Sequence, residues 1–284
     1  MPMGAMQPRR SCACNRAREI ADHGDTAASP ASMSEFDQLP PRFSSAEVLE
    51  RLRSDYGLVA ALSPLVSERD QNFRVDVGDR RLVLKISNLA EDRAFLELQT
   101  AVLAHLEVTD PALGVPRVLP ARNGSALMQW PGANGMHWVR LLSYLPGRLY
   151  SATAGSSATL ASLGRFMGRL SRALKGFGHP AAHRPDFLWN LDEVLKLKPW
   201  IADIADEAHR AIAARLMARY QQRTAPRLPC LRAAVLHQDA NDNNLLVDDQ
   251  DQVCGLIDFG DLCFGRQINE LAITLAYALL DQAD

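Results

Sequence analysis

The chain reads as a two-lobed α+β protein, and two patterns carry that reading. Apolar residues alternate with a period of two in the first half, through Val59–Val66, Phe73–Val77 and Leu82–Ile86. In the second half they recur at spacings of three and four, as in Leu160, Leu163, Met167, Leu170 and Leu174. The first period sends side chains to alternate faces of a strand; the second gathers them along one side of a helix. Strands followed by helices, with no internal repeat, make α+β rather than alternating α/β architecture.

Taken in order, residues 1–42 are expected to form a disordered extension. Four arginines (Arg9, Arg10, Arg16, Arg18) precede the first acid at Glu19, no apolar core of a secretory signal is present, and Met33 is the expected functional start. Order is expected from Phe43, because Ser44 and Glu47 have the spacing of a capping box, with Phe43 and Val48 placed as its hydrophobic staple. That helix runs to Gly57. The three alternating segments then predict an antiparallel three-stranded sheet, with Gly78-Asp79 as the hairpin turn between the last two. A helix follows, marked by Phe95, Leu96, Leu98, Val102, Leu103 and Leu106, and then further strands up to Trp138–Tyr144. Pro146-Gly147 breaks the pattern as a hinge, so the lobes are placed at 43–145 and 146–284. The second lobe begins with a helix over 158–175, apolar along one stripe, and has another over Glu207–Gln222.

Composition narrows the function. The 284 residues are 47% hydrophobic and 23% charged, as in a soluble enzyme-sized chain. With 31 basic against 33 acidic side chains there is no cationic surplus for a nucleic-acid backbone, so no nucleic-acid partner is expected. The longest apolar stretches, such as Leu271–Leu280, fall short of the roughly 18 residues of a membrane span, so no membrane partner is expected either. The five cysteines, an odd number without C-x-x-C spacing, point to a reducing, cytoplasmic location.

The chemistry is concentrated between Ala233 and Phe264. His237-x-Asp239-x-x-x-x-Asn244 is followed, fourteen residues after the asparagine, by Asp258-Phe-Gly260. This pair resembles the catalytic and metal loops of protein-kinase-like phosphotransferases. Phosphoryl transfer needs metal-held phosphates beside a hydroxyl whose proton has an acceptor. On that template Asp239 takes the proton, while Asn244 and Asp258 offer oxygens to magnesium. His237 is assigned to the catalytic loop as its organiser. The other acids nearby, Asp242, Asp248, Asp249 and Asp251, read as turn formers.

The template also needs a cation over the phosphates, and Lys85 stands in the apolar strand Leu82-Val-Leu-Lys-Ile86 as its strand lysine does. Glu97 on the next helix is the expected ion-pair partner, in preference to Glu91 and Asp92 near the helix start. Lys85 and Glu97 are thus the expected nucleotide-binding pair. Ser67–Asn72 lies where protein kinases carry a glycine-rich loop, yet it has no glycine. Asp186–Asn190 and Met136–Trp138 fit core packing as well as substrate contact.

Taken together, these segments resemble the aminoglycoside phosphotransferase and choline kinase superfamily, which writes its loops H-G-D-x-x-x-x-N and I-D-[FW]; here Gln238 stands at the glycine position. Asp70–Phe73, Leu84–Asn88, Glu97-x-Gln99, Arg140–Arg148, Phe187–Leu191 and Ile257–Asp261 are similar to hydroxylysine kinases, over about residues 45–280. The resemblance implies a two-lobed protein-kinase-like fold and magnesium with GTP or ATP as donor. Its implied acceptor is the hydroxyl of a small molecule, a hydroxylated amino acid such as 5-hydroxylysine. Homoserine, choline, methylthioribose or an aminoglycoside are alternative acceptors, and a nucleotide-binding but non-catalytic domain is an alternative of another class. Related bacterial domains precede an aminotransferase-like domain, which is therefore a conceivable C-terminal partner. Only twenty-six residues follow Asp258, so the second lobe is expected to be incomplete and the apolar run Leu271–Leu280 short of partners.

Overall fold

The computed structural model describes residues 40–67 and 69–280. Most of the expected N-terminal extension, residues 1–39, lies outside the described residues. Helix α1 (Ser45–Tyr56) starts as its sequence predicts, with the Glu47 N–H donating to Ser44 Oγ at 3.3 Å and the Ser44 N–H donating to Glu47 Oε2 at 2.7 Å. It ends at Gly57, whose φ of 70° is left-handed and costs glycine little.

Strands β1 (Ala61–Leu65), β2 (Gln71–Val77) and β3 (Arg80–Ile86) form the expected antiparallel ladder, turning at Gly78-Asp79. Pro64 is tolerated because β1 is an edge strand. The sheet is larger than the three strands read from sequence. After helix α2 (Arg93–Thr109) come β4 (Val118–Leu119), β5 (Met128–Gly132) and β6 (Gly135–Ser143). β6 pairs antiparallel with β3, and β4 and β5 take its other edge, giving six strands. Strand alternation splits this sheet into two faces. Phe73, Val75, Leu82, Leu84, Ile86, Val139 and Leu141 turn one way and pack with Val48 and Leu52 of α1 and with Trp130. Asn72, Lys85 and Arg140 are directly opposite one another on β2, β3 and β6 and so share the other face.

The second half adds β7 (Arg148–Leu149), α3 (Ser157–Ala173), a 3-10 segment (Leu191–Asp203) and α4 (Glu207–Arg219). Strands β8 (Ala233–Leu236), β9 (Leu245–Val247), β10 (Val253–Leu256) and β11 (Cys263–Arg266) precede α5 (Gln267–Ala278). β7, β9 and β10 form one small antiparallel sheet, and β8 with β11 another. Their registers place the chemistry. Leu236 lies opposite Cys263 and Leu245 opposite Leu256, so the segments 237–244 and 257–262 are anchored to each other at both ends. The Ile257 N–H donates to Asn244 O at 2.9 Å across that junction.

One apolar cluster runs through both halves, joining Phe95, Leu98, Val102 and Leu142 to Leu163, Leu170, Val235, Leu245, Leu256 and Ala278. The halves touch closely at Gly114, where a Cβ would lie 1.8 Å from Cys254 O. That contact leaves space only for glycine, and the Leu256 N–H donates to Gly114 O at 2.9 Å beside it. The crowding of apolar residues read from sequence leaves Ile268, Leu271 and Leu275 of α5, and Leu279 and Leu280 just after it, exposed.

Candidate active site

Asp239 sits on the loop between β8 and β9 with both carboxylate oxygens held. Asn241 Nδ2 donates to Oδ1 at 2.8 Å, and Asn244 Nδ2 donates to Oδ2 at 2.6 Å and to Asp239 O at 2.9 Å. The loop is itself wound tight, because Asn241 Oδ1 accepts the N–H groups of Asn243 and Asn244. Burial pushes the Asp239 carboxyl up to about 6; the two amides offset part of that shift. A carboxylate of that basicity, fixed in one rotamer, is suited to accept a hydroxyl proton near neutral pH.

His237 is buried and does its work inside the loop. Its Nδ1 accepts the Asp239 N–H at 3.2 Å, so the ring proton is on Nε2, which donates to Ile257 O at 3.0 Å. Burial pushes it down to about 4, so it is neutral. Phe259 packs edge-on against it with centroids 4.6 Å apart. His237 thus ties the two loops together, in keeping with an organising role.

Two backbone positions explain the loop shapes. Gln238 and Asp258 both have left-handed φ, 69° and 58°. A glycine adopts that conformation freely, whereas a side chain costs about 1–2 kcal/mol there. Gln238 is held regardless, its Nε2 donating to Trp189 O at 3.1 Å. The Asp186–Asn190 segment therefore supports the catalytic loop from behind. Met136–Trp138 is core packing at its centre, where His137 Nδ1 meets Ser87 O at 2.9 Å and the ring packs on Phe43.

Lys85 Nζ lies 3.3 Å from Asp258 Oδ1, an ion pair linking the large sheet to the loop after β10 across 173 residues of chain. Lys85 holds the Asp258 carboxyl below its ordinary value. The expected Lys85–Glu97 pair does not form. Glu97 is on the solvent side of α2, bonded to Arg93 one turn earlier at 2.8 Å. The α2 side chain that reaches the lysine's row is Gln99, whose Oε1 accepts Arg140 Nη1 at 2.6 Å. Two residues along a helix is about 200° of rotation, so only one of Glu97 and Gln99 can face the sheet. Glu91, set aside in the sequence reading, lines the cleft.

The cleft has a volume of about 480 Å³. Lys85, Arg140, Gln99 and Glu91 line it on one side, Asp239, Asn244, Asp258 and Asp261 on the other, and Ser67, Arg69 and Asp70 of the β1–β2 loop close it. Burial raises the Glu91 and Asp261 carboxyls above their ordinary values. Asn244 uses its amide N–H on Asp239, leaving its oxygen as the donor for a cation, and Asp258 adds carboxylate oxygen. An all-oxygen donor set of this kind suits magnesium.

One functional residue escaped the sequence reading. Glu270 on α5 is buried, and its carboxylate accepts the N–H groups of His237 at 2.7 Å and Gln238 at 3.2 Å. A carboxylate opening an apolar helical run was the available signal. Burial pushes it up to about 7.

Residues 61–283 match the model of the "Phosphotransferase enzyme family". The chain is 30% identical over 272 residues to hydroxylysine kinase of Mus musculus, covering 86% of this chain and 71% of that one. It is 31% identical over 256 residues to hydroxylysine kinase of Danio rerio, covering 85% and 72%. Among solved structures it is similar to a microcompartment-associated aminopropanol kinase, with TM-score 0.64 at 19% identity over 84% of this chain and 76% of that one. An amicoumacin kinase in complex with AMP-PNP, Ca2+ and Ami gives TM-score 0.63 at 18% identity, covering 84% and 70%. These structural likenesses bear out the protein-kinase-like α+β fold, and an aminotransferase-like partner is not supported by them. The chain belongs to the phosphotransferase enzyme family and is a small-molecule kinase acting on a hydroxyl acceptor.

Proposed function

We propose that this kinase transfers the γ-phosphoryl group of ATP or GTP to the side-chain hydroxyl of a hydroxylated amino acid such as 5-hydroxylysine. The observation that carries the reading is the Asp239 carboxylate, fixed by Asn241 and Asn244 in the same cleft as the Lys85–Asp258 pair. The identity to hydroxylysine kinases supports the choice of acceptor.

In this reading residues 43–145 supply the phosphate side of the cleft and residues 146–284 the catalytic loops. Asp239 takes the proton of the acceptor hydroxyl as its oxygen bonds to the γ-phosphorus. The bond from that phosphorus to the β–γ bridging oxygen breaks, and the nucleoside diphosphate leaves. Lys85 places positive charge against the phosphates. Asn244 and Asp258 would hold magnesium, which neutralises charge on the phosphates. Among the described residues no helix is long and apolar enough to cross a membrane. The unpaired spacing of its cysteines supports action in the cytoplasm.

The test is transfer from γ-labelled ATP and GTP to a panel of acceptors: 5-hydroxylysine, homoserine, choline, methylthioribose and an aminoglycoside. Labelled product with 5-hydroxylysine at a kcat/KM at least tenfold above the others is expected. Preference for a non-amino-acid acceptor would overturn the acceptor assignment. Nucleotide binding without transfer to any acceptor would favour a non-catalytic domain.

A further inference from the structure

The cleft face of the large sheet carries a row of three polar side chains, Asn72, Lys85 and Arg140, one on each of three neighbouring strands. Lys85 is accounted for by Asp258. Arg140 is not accounted for by any anion. It is 3% exposed, yet among the described residues its one hydrogen bond is to the neutral amide of Gln99, and its Nε has no partner. Asn72 Oδ1, on the other side of Lys85, is also buried without a partner.

A buried guanidinium normally sits against a carboxylate, because an uncancelled charge is costly away from water. Three carboxylates lie close enough to act on Arg140 through space, Asp70, Glu91 and Asp258, but none hydrogen-bonds it. Asp258 is bound to Lys85, and Asp70 Oδ1 accepts the Asn88 N–H at 3.1 Å and its amide at 3.3 Å. Where α2 has the means to place a carboxylate on this row, it places Gln99, and its glutamate Glu97 faces solvent. The sheet side of the cleft thus holds two adjacent cations, Arg140 bonded to a neutral helix partner, with Asp70 and Glu91 near it but not hydrogen-bonded to it. Such a pair fits a ligand carrying more than one negative charge, and a planar fork suits phosphate oxygens.

We propose that Arg140 is a phosphate-binding residue of the donor site, joining Lys85 to take the triphosphate tail of the nucleotide, with Gln99 holding its guanidinium without cancelling its charge. The inference rests on the donor being a nucleotide, as proposed above.

The test is calorimetric titration with the magnesium complex of ATP or GTP, whichever binds the wild-type protein more tightly, and with the matching nucleoside. Wild type, Arg140→Met, Gln99→Glu and Lys85→Met are compared, and each is also melted. Loss of a hydrogen bond to a charged group corresponds to about tenfold or more, so Arg140→Met should weaken the triphosphate by that factor and the nucleoside by less than twofold. Gln99→Glu is nearly isosteric, keeps the bond to Arg140 and cancels its charge. It should weaken the triphosphate by roughly three- to tenfold in a protein at least as heat-stable as wild type.

A purely structural Arg140 would behave differently. Gln99→Glu would then stabilise the fold and leave triphosphate affinity unchanged, and that result overturns the proposal even if Arg140→Met fails to fold. Equal losses of triphosphate and nucleoside affinity in Arg140→Met would overturn it as well. Lys85→Met separates the two levels of the argument. If it loses triphosphate affinity while Gln99→Glu does not, only the Arg140 assignment falls; if it binds the triphosphate as wild type does, the nucleotide-donor reading falls too.

Discussion

Glu270, on the first turn of α5 and thirty-three residues after His237, receives the backbone N–H of His237 at 2.7 Å, so the start of that helix holds the loop from below. The Gln238 N–H, at 3.2 Å, is the second donor. A carboxylate satisfies both, whereas an amide turns its own N–H₂ toward one of them. Glu270→Gln is therefore expected to lower kcat by about tenfold or more, the equivalent of one hydrogen bond to a charged group, with little change in nucleotide affinity. Steady-state kinetics with a parallel nucleotide titration would check this. An equal loss in both would place Glu270 in the nucleotide site instead.

The same residue makes a pH prediction. Burial raises Glu270 from 4.5 to about 7 in the folded protein, so its contribution to stability is fully present below 4.5 and is lost as the pH rises through 7. The difference amounts to about 3 kcal/mol across that window. Denaturant titrations from pH 4.5 to 7.5 should show wild-type stability falling relative to Glu270→Gln as the pH rises. A difference between the two that does not vary with pH would contradict the assignment.

Gln238 stands in left-handed backbone at φ 69°, and its Oε1 is buried without a partner. Gln238→Gly loses the bond to Trp189 O but relieves both costs, so its stability should stay within about 1 kcal/mol of wild type. Gln238→Val keeps the left-handed φ with a β-branched side chain and should cost about 2 kcal/mol or more. Thermal melts of the pair would decide, and equal stabilities would show that backbone conformation is not what the position demands.

Glu97 is a surface residue in this structure, paired with Arg93 on its own helix. Exposed pairs of this kind contribute about 0–1 kcal/mol. Glu97→Ala should leave kcat/KM within twofold of wild type, whereas Lys85→Met should abolish transfer. A hundredfold loss in Glu97→Ala would restore the lysine–glutamate pair that the sequence suggested.

What the sequence made legible is local or tied to spacing. Ser44 and Glu47 announce α1, Gly78-Asp79 announces the hairpin, and His237, Asp239, Asn244 and Asp258 lie in two short loops close together along the chain. The fold places all four at one junction because two short ladders clamp the loops at both ends. The α2 partner was misread for a physical reason. Apolar periodicity gives the buried side of a helix, but Glu97 and Gln99 flank Leu98 on different sides, and only tertiary packing decides which of them meets β6. Glu270 was missed because, although it opens an apolar helical run, its partners are backbone N–H groups, which the sequence does not name.

The proposed role of Asp239 is that of base for phosphoryl transfer, in a cleft where Lys85 and Asp258 would hold the nucleotide. Its most direct test is the rate of acceptor-dependent transfer from γ-labelled nucleotide by Asp239→Asn, set beside that variant's magnesium–nucleotide affinity and beside Asp258→Ala. The account predicts that Asp239→Asn loses at least 10²-fold in kcat, the scale of general-base catalysis, while binding nucleotide within threefold of wild type. Asp258→Ala should lose nucleotide affinity itself. An Asp239→Asn protein that retains most of its turnover with the best acceptor would contradict the account.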